Sequence, residues 1–311
     1  MYRIVFFGTS EFATPSLRAL ASDGRFEIVN VVTQPDRPVG RHATVTATPV
    51  KQVALELGIK TIQPEKIKDE FFHDRIKEIG PSCDAFVVIS YGKILPQWLL
   101  DLPKKGVINV HGSLLPRHRG ASPIQAAIAA GDKTSGVTVM LIDAEMDHGP
   151  TLATKETPIH PDDIGSTLHD RLAAIGAEML PNVLADYLEG KITPKEQDHS
   201  KATYCKILTR ADGKIDWNKS ADEISRLVRA YNPWPGTWTM VADKRLKILS
   251  SSVITADKNL KPGQCFVFDK QPAVACGDGT AVVLDSIQPE GKNAMPGEEF
   301  LRGVKNLTLL A

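Results

Sequence analysis

The chain has 311 residues with 37 basic and 37 acidic side chains, so its formal net charge is zero and bulk charge announces no polyanionic partner, leaving local patches as the carriers of any such contact. A hydrophobic share of 42% supplies a packed core and excludes wholesale disorder. The four cysteines (Cys83, Cys205, Cys265, Cys276) make no C-x-x-C pair, the N-terminal apolar run is too short for a secretory signal, and no run reaches transmembrane length, so the expectation is a cytoplasmic protein without disulfides or membrane contact.

The first half alternates strands and helices. YRIVFFG reads as a buried strand, PSLRALAS as a helix and FEIVNVVT as a second strand. Residues 50–58 and 66–79 carry helical periodicity, and DAFVVIS is another apolar strand. GVINV, the helix SPIQAAIAAG and the strand GVTVMLI follow. This rhythm predicts an α/β, Rossmann-like domain whose mostly parallel sheet is covered by helices on both faces. In such sheets ligands bind beyond the C-terminal strand ends, which places FFGTSEF, VVISYGK, NVHGSLLP and LIDAEMDHG on one rim. A long amphipathic helix is expected over 163–189, closing a first domain at 1–190. The mixed polar stretch at 191–208 reads as a linker, and 209–311 as a second domain. There the helix SADEISRLVRAY precedes short strands separated by Gly, Asp and Pro turns, the pattern of a small β-barrel.

Chemistry concentrates in INVHGSLLPRHRG, residues 108–120. Side chains at i and i+2 of a strand share a face, so Asn109 and His111 project together while Val110 points away. Such a pair serves either a plain turn or a site that needs two hydrogen-bonding groups side by side. FGTSEFA lacks the further glycines of a dinucleotide fingerprint, which disfavours a nicotinamide cofactor. The loop QPDRPVGRHATVTATPVK is unusually long for a compact domain, a feature shared by functional loops. Asp143, Glu145 and Asp147 in LIDAEMDHG either bind a metal, for which no partner ligands are suitably spaced, or orient an imidazole.

NVHGSLLPRHRG with the downstream DAEMDHG resembles the folate-dependent formyltransferases. The FGT turn, the PDRPVGR loop, the NPWPGTWT segment and the two-domain length narrow the resemblance to the family's tRNA-directed branch, the methionyl-tRNA formyltransferases. It implies transfer of formyl from 10-formyltetrahydrofolate to the α-amine of methionyl initiator tRNA by a monomer that needs no metal. The family's catalytic trio falls on Asn109, His111 and Asp147. Its folate contacts fall on Ser113, Leu114, Leu115 and Pro116, and Ile94 and Leu95 become walls of the pteridine slot. Its tRNA contacts point to Arg37 and Arg41 in the long loop, and to Lys206 and Arg210 beside an oligonucleotide-binding-like barrel. The SLLPRHRG element is shared with relatives that act on other amines or on water, which remain the alternative.

The residue types suit this reaction independently. Amine attack on a formamide builds an oxyanion that the Asn109 amide and a protonated His111 can meet, and a carboxylate near His111 favours and orients the imidazolium. Arg117 and Arg119 are expected to meet phosphate or the folate tail, or to be solvated. His118 is expected at the surface or in loop packing rather than in catalysis, and Trp234 and Trp238 in the packing of the barrel. The long loop has no lysine between Arg41 and Lys51, so Thr44, Thr46 or Thr48 are the available substitutes for phosphate contacts.

Overall fold

The computed structural model describes residues 1–39, 43–241, 243–257 and 259–303. In chain order the strands are β1 (Tyr2–Gly8), β2 (Phe26–Val32), β3 (Arg37–Val39), β4 (Thr44–Thr46), β5 (Thr61–Ile62), β6 (Ala85–Ile89), β7 (Val107–His111), β8 (Arg119–Gly120), β9 (Thr134–Leu141), β10 (Thr151–Pro158), β11 (Tyr204–Cys205), β12 (Thr237–Val241), β13 (Lys244–Thr255), β14 (Cys265–Phe268), β15 (Gln271–Ala275), β16 (Thr280–Pro289) and β17 (Met295–Pro296). The helices are α1 (Thr14–Ser22), α2 (Pro49–Glu56), α3 (Glu70–Ile79), α4 (Gln97–Leu100), α5 (Pro123–Ala130), α6 (Gly165–Leu188), α7 (Ala221–Ala230) and α8 (Gly297–Arg302). Among the described residues no helix is long and apolar enough to cross a membrane.

The larger sheet has the order β10-β9-β7-β6-β1-β2-β5. β1 lies parallel between β2 and β6, with Ile4 opposite Ile28 and Ala85. β6 pairs in parallel with β7, and β2 with β5. The sheet is therefore mostly parallel, as the alternation of elements predicts. β9 departs from this, running antiparallel to β7 with His111 opposite Thr138. Strand order reverses direction on either side of β1, the kind of switch point at whose strand ends such folds bind ligands. The central strands are apolar along their whole length because both faces are covered: all five residues of β6 are buried. Phe7, Phe86, Val88, Tyr91, Leu95 and Leu99 pack in one cluster there, each large apolar side chain contributing about 1.5–3 kcal/mol.

The chain forms two compact units, Met1–Gly120 with Ser135–Thr157 and His169–Tyr204, and Ala121–Thr134 with Pro158–Leu168 and Cys205–Ala311. In the second unit an antiparallel sheet runs β12-β13-β16-β15-β14, with β17 on β16. Helix α7 starts at a capping box, Ser220 and Glu223 each satisfying the other's backbone N–H. Its Ile224 and Val228 pack on Leu246, Ile248, Val282 and Leu284. Within this unit α5 also lies against α7, where Arg226 Nε donates to the Ala129 carbonyl at 3.2 Å. Of the two tryptophans expected in the packing of the barrel, Trp238 is half-buried, but Trp234 is 49% exposed. The buried tryptophan is Trp217, whose indole N–H reaches Thr239 Oγ1 at 3.2 Å.

Candidate active site

Strand β7 carries Asn109 and His111 to its C-terminal end on one face, as strand alternation requires. His111 is buried and Asn109 half-buried. His111 Nε2 lies 2.9 Å from the His118 carbonyl. A carbonyl only accepts, so the proton sits on Nε2, and Nδ1 is the nitrogen left for chemistry. Nδ1 faces Asp147 Oδ2 at 3.7 Å, too far for a hydrogen bond but close enough for the carboxylate to complement positive charge on the ring. Asp147 Oδ2 itself accepts from the Gly120 N–H at 2.7 Å.

Asp147 sits at φ 49°, a left-handed conformation that Asp tolerates better than most residues. Two positions later the chain returns so close to β9 that a Cβ on Gly149 would stand 2.1 Å from the Leu141 carbonyl oxygen, so only glycine fits. Of the three acidic residues in this segment, Asp147 faces His111. Asp143 pairs with His148 Nδ1 at 2.7 Å, and Glu145 is exposed.

The SLLP turn is held from β9. Thr138 Oγ1 donates to the Ser113 carbonyl at 2.7 Å and accepts from the Leu115 N–H at 3.1 Å. Ser113 is buried and its hydroxyl donates to the Arg117 carbonyl at 2.6 Å, while Leu114, Leu115 and Pro116 are half-buried. The loop after β6 is stitched to its neighbours, with the Tyr91 carbonyl accepting from Thr9 Oγ1 at 2.9 Å and Gln34 Nε2 at 3.1 Å. The two residues assigned there to the pteridine slot part company: Leu95 is 9% exposed and lies in the core cluster, whereas Ile94 is 82% exposed. Burial pushes the Tyr91 phenol upward, and among the described residues its hydroxyl has no hydrogen-bond partner.

Arg117 is exposed, but Arg119 is not the solvated or phosphate-facing group expected of it. It is 1% exposed, with Nη2 2.7 Å from Gln197 Oε1 and 2.8 Å from His199 Nδ1. His118 is buried in loop packing, its N–H donating to Thr203 Oγ1 at 2.8 Å. The stretch read as a linker thus folds back on the site: the Arg119 N–H donates to the Thr203 carbonyl at 2.8 Å and the Thr203 N–H to the Pro116 carbonyl at 3.3 Å. Gln197, Thr203 and Thr138 carried no sequence signal, being ordinary polar residues whose importance comes from what they touch.

Of the residues assigned to tRNA, Arg37 is exposed and pairs with Glu65 at 2.6 Å, and Arg41 lies outside the described residues. Thr48 is committed to capping α2 and to Thr33, while Thr44 and Thr46 are exposed. In the second unit Lys206 pairs with Asp212, which holds that carboxyl well below the usual carboxylate range with help from Thr209. The Arg210 guanidinium stands 5.9 Å from the centre of the exposed Trp234 ring.

Residues 2–184 match the formyl transferase family, and residues 207–305 match the formyl transferase C-terminal domain. The methionyl-tRNA formyltransferase of Roseiflexus sp. (strain RS-1) is 45% identical over 97% of this chain and 93% of its own length. That of Acidobacterium capsulatum is 43% identical over 97% and 96%. Among solved structures, the N-formyltransferase from Helicobacter canadensis in complex with folinic acid and dTDP-3-aminofucose has a TM-score of 0.68. It covers 93% of this chain and 100% of that one at 17% identity, a likeness of fold. The resemblance carried by the NVHGSLLPRHRG and DAEMDHG segments therefore extends over nearly the whole sequence, and the chain belongs to the formyltransferase family, among the methionyl-tRNA formyltransferases.

Proposed function

We propose that the protein moves a formyl group from 10-formyltetrahydrofolate to the α-amine of methionyl initiator tRNA, and that Asn109, His111 and Asp147 carry the step. The observation that supports these roles is the single face at the end of β7, where a side-chain amide, an imidazole with one committed nitrogen and a carboxylate converge. The amine nitrogen attacks the formyl carbon, and negative charge develops on the formyl oxygen. The Asn109 amide and His111 Nδ1–H donate to that oxygen, and such a donor is worth about 3 kcal/mol of barrier. Asp147 complements the charge on His111. When the bond from the formyl carbon to the folate nitrogen breaks, that nitrogen gains a proton and the attacking ammonium loses one, so the exchange is proton-neutral and His111 with Asp147 can relay it.

The folate donor belongs beside the SLLP turn, where Ser113, Leu114, Leu115 and Pro116 combine half-buried apolar surface with a backbone fixed by Thr138. Release of tetrahydrofolate tests the function when measured with no acceptor, with methionyl initiator tRNA and with methionyl elongator tRNA. Release that needs the charged initiator, with formyl recovered on its methionine, is the expected result. Release without tRNA would move the protein to the class that uses water or another amine.

For tRNA contact, Arg37, Arg41, Lys206 and Arg210 remain the proposed residues. The Trp234 face with Arg210 beside it adds an aromatic surface on which an unpaired base can stack. Trp234→Ala is expected to weaken tRNA binding about 10-fold, within the range of ~1–3 kcal/mol for one stacked base, with Trp234→Phe close to wild type. Filter binding at fixed salt checks this, and equal loss for both variants would remove stacking as the cause.

A further inference from the structure

The side-chain amide of Gln197 spans the loop that presents Asp147. Its Nε2 lies 2.9 Å from the Asp147 carbonyl and 2.7 Å from the Gly149 carbonyl. Its Oε1 lies 2.7 Å from Arg119 Nη2 and 3.3 Å from Arg119 Nε. A guanidinium only donates and carbonyls only accept, so the amide has one permitted orientation and all four of its hydrogen-bonding positions are used. Gln197 is 8% exposed and Arg119 1%, so water is no ready substitute for either. The loop they hold is the one that needs holding, because Asp147 is in the left-handed region. Arg119 is followed by Gly120, whose N–H grips the Asp147 carboxylate. Asp147 is therefore held twice, by its carbonyl through Gln197 and by its carboxylate through the residue next to Arg119.

We infer that Gln197, oriented by Arg119, is a positioning residue for the transfer reaction: it sets the backbone from which Asp147 faces His111 Nδ1. The inference rests on the proposed role of Asp147. It reaches beyond that role by making part of the catalytic geometry depend on residue 197, about fifty positions downstream and in a stretch with no chemistry of its own.

The test is a double-mutant cycle on the full chain, read as steady-state formyl transfer. Gln197→Met keeps the side-chain length and removes both donors. It is expected to lower kcat about 30-fold, as misplacement of a reacting group does, while KM for folate and tRNA stays within about 3-fold. In an Asp147→Asn background the same substitution is expected to cost less than about 3-fold more, because the group it positions is already lost. Arg119→Lys, which leaves Gln197 in place but replaces the two-nitrogen grip on its Oε1 with a single ammonium, is expected to lower kcat by a smaller factor with the same non-additivity, and it serves if Gln197→Met does not fold. Full multiplicative losses in both backgrounds would overturn the inference and make Gln197 a structural residue. Wild-type rates for Asp147→Asn alone would instead overturn the role of Asp147.

Discussion

His111→Ala is expected to lower kcat at least about 1000-fold, the scale of a lost oxyanion donor before any loss of proton relay is added, while the affinity for methionyl initiator tRNA stays unchanged. The reason lies in the division of labour on the ring. Nε2 is spent on the His118 carbonyl, so the whole chemical contribution passes through Nδ1. Removing the ring also leaves the His118 carbonyl without that donor, at a cost of about 1–3 kcal/mol of stability. The variant should therefore melt several degrees lower yet remain folded. Rapid-quench transfer and tRNA filter binding on one preparation separate the two effects. Retained turnover would show that another group stabilises the formyl oxygen, and lost tRNA affinity would show that the site is built partly by the acceptor.

Asp147→Asn is expected to cost about 100-fold or more in kcat, in the range for loss of a positioned acid–base partner, with little change in stability. The asparagine oxygen can still accept from the Gly120 N–H, so the grip on the side chain survives and the negative charge does not. The substitution thus isolates charge from position, the complement of what Gln197→Met does. A KM for either substrate that rises in step with the fall in kcat would point to binding rather than to the reacting centre.

The fold was legible where burial writes itself into composition. β1 and β6 read as apolar strands because helices cover both faces, and α7 falls within the stretch SADEISRLVRAY read as a helix. β10 was not legible: TLATKETP has only Thr157 buried, so it has no apolar period to detect. Strand alternation predicted that Asn109 and His111 share a face, but nothing in the sequence says which nitrogen of His111 is occupied. That is decided by a backbone carbonyl seven residues away. Arg119 shows the opposite failure. An arginine in a polar loop is ordinarily solvated, and only the convergence of Gln197, His199 and Tyr204 around it makes a buried position possible. Trp234 is misjudged for a related reason, since large aromatic surface predicts burial on average and this turn exposes it.

The return of residues 197–203 onto the loops around Arg119 and Asp147 bears on how this architecture can be recombined. The long helix α6 ends at Leu188, and a cut just after it looks like the natural seam between modules. A fragment ending there would carry Asn109, His111 and Asp147 intact. Yet the Asp147 and Gly149 carbonyls would face solvent, Arg119 would lose its Gln197 partner, and the His118 N–H would lose Thr203. Grafting the first domain onto a different recognition module would preserve its chemistry only with a crossover beyond residue 203, so exchange of acceptor specificity has to move the seam rather than respect it.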